Sequence, residues 1–105
     1  MQNFYERVWK MMRRIPRGRV TTYGELARAL NTKAYRAVGA ACRNNPYAPV
    51  VPCHRVIASG GKIGGFGGKT SGANIKKKIA MLEIEGVQIR NNKIVNFEKV
   101  LFKFR

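Results

Sequence analysis

The sequence predicts a mainly α domain with one small β-hairpin, and three observations predict it. Apolar residues recur at helical spacing in several separate stretches. A Thr-x-x-Glu box opens a short helix, and a tight polar break joins it to a second, as in a helix-turn-helix. Near the C-terminus, Asn91-Asn92 separates two short segments in the way a hairpin turn does. At 105 residues the chain has the size of one domain, so residues 1–105 are expected to fold as a single unit. A hydrophobic fraction of 45% is enough for a core and excludes wholesale disorder.

In the first helix, Phe4, Val8, Met11, Met12 and Ile15 share one face. Arg7, Lys10, Arg13 and Arg14 are left for solvent or a ligand, and Pro16 and Gly18 end the helix. Thr22-Tyr23-Gly24-Glu25 forms a capping box, in which hydroxyl and carboxylate satisfy two free N–H groups reciprocally. That helix should run to about Leu30 and bury Leu26, Ala27 and Leu30. After Asn31-Thr32 a further helix spans roughly Lys33 to Arg43, stopped by Asn44-Asn45-Pro46. Arg36, Gly39, Ala40 and Arg43 fall on one side of it, a face with cationic ends and a nearly bare centre. Ala34, Val38, Ala41 and Cys42 form the opposite, inward face, which makes Cys42 structural rather than reactive. Ile75, Ile79 and Leu82 mark another helix, with Gly86 as its stop. Val87–Arg90 and Lys93–Val95 form the hairpin, and Phe97, Val100, Leu101 and Phe104 return to helical spacing.

Lys and Arg number 21 against 5 acidic residues, a net charge of +16. Such an excess points to a polyanionic partner, nucleic acid first, bound through contacts that salt weakens. On charge alone an anionic membrane surface is the runner-up to nucleic acid. No run of 18 apolar residues occurs, so nothing spans a membrane; the N-terminus lacks the apolar core of a signal peptide, and an intracellular setting with no membrane partner is expected. Two cysteines and one histidine, two of them adjacent, do not match tetrahedral zinc spacings, so no metal is expected. The glycine-rich stretch Gly60–Thr70 ends in Gly68-Lys69-Thr70, but Ile63 stands where a phosphate-binding loop requires glycine. Thr70 likewise breaks the dinucleotide fingerprint.

Pro52-Cys53-His54-Arg55-Val56 sets one thiol beside the only histidine. A cysteine attacks as thiolate, and its free pKa is roughly 8.5, so a base or positive field must assist it. His54 and Arg55 are the candidates. On its own, a free cysteine is more often a small buried apolar group.

The surrounding motifs change that balance. Pro-Cys-His-Arg-Val, together with Tyr23-Gly24-Glu25-Leu26-Ala27, Arg36–Pro46 and Glu85-Gly86 in the same order, resembles the O6-alkylguanine-DNA alkyltransferases. The resemblance runs from about Phe4 to Gly86 and covers that family's catalytic domain. It implies a winged helix-turn-helix-like fold and a monomer acting on double-stranded DNA that contains O6-alkylguanine. The implied reaction is a single, irreversible transfer of the alkyl group to cysteine, with no cofactor, because the damaged DNA is the donor.

By motif position the acceptor is Cys53. The resemblance implies that His54 takes the thiol proton through a water, Glu85 orients that histidine, and Asn45 braces the network and the turn before the cysteine. It implies that Tyr23 hydrogen-bonds the extruded guanine and that Arg36 fills the space the base leaves. Gly39 and Ala40 then lie against the minor groove, and Arg43 meets phosphate. Val56 and the loop through Phe66 and Gly67 line the pocket, with Phe66 where a tyrosine is common. Lys78 aligns with a lysine near the site, although the run Lys76-Lys77-Lys78 otherwise reads as a solvated face. Three other readings compete: a lesion-binding alkyltransferase-like protein (these lack the acceptor cysteine), a nucleic-acid packaging protein and a cysteine hydrolase.

Overall fold

The structure, a computed structural model, describes residues 3–65 and 72–104. In chain order it contains α1 (Phe4–Met12), β1 (Thr21–Thr22), α2 (Tyr23–Ala29), α3 (Tyr35–Arg43), β2 (Val56–Ile57), α4 (Ala73–Ile84), β3 (Ile89–Arg90), β4 (Lys93–Ile94) and α5 (Phe97–Val100). The mainly helical class with one small hairpin is therefore observed.

Local chemistry accounts for most of these boundaries. Asn3 caps α1, its Oδ1 accepting from the Glu6 amide at 2.8 Å. Thr22 caps α2, its hydroxyl accepting from the Glu25 amide at 3.0 Å. This is one half of the expected capping box; the Glu25 carboxylate instead approaches Arg28 at 3.7 Å. In the hairpin, Asn91 and Asn92 both take positive φ, 53° and 59°, the geometry a two-residue turn requires. Asparagine tolerates that region better than most residues.

Two apolar clusters form the core. Val8, Met12, Leu26, Ala27, Val38, Ala41 and Val56 bring α1, α2 and α3 together. Val20, Ile57, Ile63, Ile75, Leu82, Val87 and Ile94 join the strands to α4 and the hairpin. Each large aliphatic side chain so buried contributes about 1.5–3 kcal/mol. β1 and β2 pair in parallel, Thr21 opposite Val56 and Thr22 opposite Ile57. Successive strand residues point to opposite faces, so Val56 enters the first cluster and Ile57 the second. The stretch after Cys53 is thereby the seam of the molecule.

Three expectations need correction. Ala34 is exposed at the N-cap of α3 and does not pack inward, because the helix begins at Tyr35 and not at Lys33. The C-terminal segment is helical only from Phe97 to Val100; beyond it Leu101 bridges Val20 in parallel, and the Phe102 amide bonds the Val20 carbonyl. Backbone pairing to β1's approach wins there over the helical period. Lys78 is fully buried and is no part of a solvated face.

Candidate active site

The turn that presents Cys53 is built by Asn45. Its Nδ2 donates to the Val51 carbonyl at 2.7 Å, and its Oδ1 accepts from the Tyr47 amide at 2.9 Å. One side chain thus ties both ends of the 47–51 turn. Trp9 steadies the same region from α1, donating Nε1–H to the Ala41 carbonyl at 2.8 Å and meeting the Tyr47 ring edge-on at 5.7 Å. Pro52 then leads into one 3-10 turn, Cys53–Arg55. Cys53 is half-buried and packs against the first cluster, as does Tyr23.

His54 is buried, 2% exposed, and its Nε2 lies 3.0 Å from Glu85 Oε2. Burial lowers its pKa below the ordinary value, against the opposing pull of Glu85, so the ring is neutral at pH 7. A carboxylate only accepts, so Nε2 carries the proton and Nδ1 the lone pair. Nδ1 is buried and has no hydrogen-bond partner among the described residues. The ring is therefore held as a base with its basic nitrogen uncommitted.

Glu85 is the C-cap of α4, an unfavourable place for a negative charge at the negative end of a helix. Arg55 compensates. Its Nε donates to Oε1 at 2.9 Å and its Nη2 to Oε2 at 2.7 Å, while Nη1 donates to the Ile15 carbonyl at 2.8 Å. Burial pushes the Glu85 carboxyl up, but the hydrogen bonds from Arg55 and His54 override it and hold the pKa at about 2. Arg55 was expected as a source of positive field near the thiol; its guanidinium is instead spent on a bidentate clamp that keeps Glu85 ionised.

Tyr23 opens α2 and is half-buried. Burial, and then the charges of Cys42 and Cys53, push its phenol above the ordinary range, so it stays a hydrogen-bond donor at every physiological pH. Cys42 is buried, and burial pushes its thiol up to about 12. Its Sγ lies 3.8 Å from Met12 Sδ, so the inward assignment holds.

On α3, Arg36 and Arg43 are exposed and Gly39 and Ala40 lie between them. A Cβ added at Gly39 would sit 3.7 Å from Arg43 Nη1, so the guanidinium folds along the bare stretch of the helix. Cys53, His54, Glu85, Asn45 and Tyr23 are thus gathered around the 3-10 turn, with Arg36, Gly39, Ala40 and Arg43 forming an open face on α3. Val56 is buried in the seam directly after them. Phe66 and Gly67 lie outside the described residues. Two contributors escaped the sequence: the Arg55 clamp and the burial of Lys78. No periodicity marks either; their partners are distant in the chain.

Three comparisons bear on this arrangement. The family model for the DNA-binding domain of 6-O-methylguanine DNA methyltransferase matches residues 3–87. A methylated-DNA–protein-cysteine methyltransferase from Methanosarcina mazei is 49% identical over 81 residues, 76% of this chain and 49% of that protein. One from Sulfolobus acidocaldarius is 47% identical over 89 residues, 85% of this chain and 53% of that protein. The chain spans about half the length of such relatives. Among solved structures, Mycobacterium tuberculosis OGT in complex with DNA superposes with a TM-score of 0.71 at 45% identity, covering 81% of this chain and 50% of that one. Schizosaccharomyces pombe Atl1, in complex with damaged DNA containing O6-carboxymethylguanine, gives a TM-score of 0.81 at 33% identity and covers 98% of this chain and 99% of that one.

Proposed function

Because the chain belongs to the 6-O-methylguanine DNA methyltransferase family, we propose that it repairs DNA by moving the alkyl group of O6-alkylguanine onto Cys53 in one irreversible step. Residues 1–105 act as one catalytic and DNA-binding unit. Double-stranded DNA carrying the lesion is the substrate, which sets the work inside the cell.

One observation carries this reading. A half-buried thiol adjoins in sequence a buried neutral imidazole whose Nε2–H is committed to a carboxylate that Arg55 keeps ionised and whose Nδ1 lone pair is uncommitted among the described residues. In the proposed step His54 Nδ1 takes the thiol proton, through one water as in the nucleophile–base–orienter arrangement of hydrolases. The thiolate attacks the alkyl carbon in line. The S–C bond forms, the C–O6 bond breaks, and the guanine leaves with the electron pair and regains a proton. Tyr23, always protonated, donates a hydrogen bond to the base and stabilises its departing charge. Arg36 enters the duplex where the base was, and the bare Gly39–Ala40 stretch lets α3 approach the minor groove closely. Arg43 holds phosphate. The thioether does not return to thiol, so each molecule acts once and needs no cofactor.

Incubation with a duplex containing O6-methylguanine, followed by intact and peptide mass measurement, tests this. One methyl is expected on the peptide bearing Cys53, none on Cys42, and no transfer beyond one equivalent. Cys53→Ala should still bind the duplex and accept nothing. The near full-length superposition on Atl1 favours a second reading, lesion binding without transfer. Wild-type protein that holds the damaged duplex yet stays methyl-free would establish that reading.

A further inference from the structure

Lys78 is the one charged side chain among the described residues with no exposure at all, and the proposed chemistry does not use it. Its Nζ donates to the Val56 carbonyl at 2.8 Å, the Ile63 carbonyl at 2.6 Å and the Gly65 carbonyl at 3.0 Å. We propose that Lys78 is a positioning residue for the alkylguanine pocket: its buried ammonium ties the seam at Val56 to the backbone at Ile63 and Gly65 and so fixes the cleft that receives the base. The proposal rests on the alkyl-transfer reading.

The geometry accounts for the choice of lysine. An ammonium has three N–H donors and no acceptor, and here all three are used on carbonyls. The three acceptors lie on one stretch of chain that follows the 3-10 turn, from Val56 to Gly65. Lys78 and Glu85 are seven residues apart, so they share one face of α4. That face supplies the site twice, with the Glu85 carboxylate for His54 and the Lys78 ammonium for the loop. A buried cation is costly, and an apolar residue of similar size would suit a purely structural position better.

The groups facing Lys78 are Cys42 of α3 and Cys53 and His54 of the 3-10 turn. Negative charge on either cysteine favours the ammonium, and the ammonium in turn helps keep His54 neutral. Burial, the largest influence, lowers the Lys78 pKa to about 8. Deprotonation leaves two N–H groups for three carbonyls, so one strand of the tie is lost on the alkaline side.

Two measurements test this. The carbonyl 13C shifts of Val56, Ile63 and Gly65 are followed from pH 6 to 10 in wild type and Lys78→Arg. They should move together with a midpoint near pH 8 in wild type and stay level in the arginine variant. Carbonyls that do not move in wild type overturn the proposal whether or not transfer occurs. In single-turnover transfer from an O6-methylguanine duplex, Lys78→Met should lose about 100-fold in maximal rate while binding undamaged duplex as wild type does. Wild type should slow above about pH 8, and Lys78→Arg should not. If Lys78→Met fails to fold, a wild-type alkaline limb in Lys78→Arg overturns the proposal. A wild type that transfers normally beside an unimpaired Lys78→Met sinks the role of Lys78 alone; a wild type that accepts no methyl sinks the alkyl-transfer reading.

Discussion

Replacing Glu85 by glutamine removes one charge and leaves the shape of the side chain. The carboxyl is held at about 2 against an ordinary 4.5, a difference equivalent to about 3 kcal/mol at ~1.4 kcal/mol per tenfold. The side chain is 8% exposed and Arg55 is 16% exposed, so little solvent screening reduces that figure. A glutamine oxygen still accepts one bond from Arg55, and Arg55 keeps the Ile15 carbonyl. The expected loss of stability is therefore about 2–3 kcal/mol, below the roughly 3–5 kcal/mol of a fully broken buried pair. On the proposed alkyl-transfer reading, the effect on transfer is larger and has a separate cause. A glutamine amide turned toward His54 donates to Nε2, which forces the ring proton onto Nδ1 and removes the base. The comparable change in a Ser-His-Asp triad costs about 10⁴ in rate; with a water between base and thiol, about a thousandfold is expected here. Equilibrium urea unfolding measures the first effect, and rapid-quench single-turnover transfer to Cys53 measures the second. A Glu85→Gln variant that transfers within fivefold of wild type would refute the tautomer argument, even if it were less stable.

Acid should destabilise the fold through two groups, His54 and then Glu85. His54 is depressed below 6.5 by burial, so the stability it contributes is present above 6.5 and is lost as pH falls through its lowered value. Glu85 is depressed from 4.5 to about 2, so its contribution is lost between those values. Urea midpoints measured from pH 7 to 3 should fall from about pH 6.5 downward, and a level profile to pH 4 would contradict the buried neutral ring. Gly61 sits at φ +85°, where a Cβ would lie 2.9 Å from Phe97 Cγ. Gly61→Ala combines backbone strain with a ring clash and should cost about 2–3 kcal/mol; a thermal midpoint unchanged from wild type would show that α5 moves aside freely.

Signals carried by neighbouring residues were legible in the chain. The Thr22 cap, the Asn91-Asn92 turn and the inward face of Val38, Ala41 and Cys42 each depend on residues a few positions apart. So does each of the short motifs that led to the family. The parallel pairing of Thr21 with Val56 and the Val20–Leu101 bridge were not legible, because strands of two residues have no period to detect. Ala34 was misplaced because α3 starts two residues later than expected, at a boundary without a side-chain cap.

By itself, then, the sequence determined the helices, the hairpin and which residue types could do chemistry near Cys53. Tertiary structure decided what those residues are bonded to. Arg55 and Glu85 are separated by 30 positions, and Lys78 lies 22 positions from the Val56 carbonyl it holds. Local propensity extends over a turn or two of backbone, whereas the desolvation that makes His54 neutral and Lys78 a tie exists only once the two core clusters have closed around them.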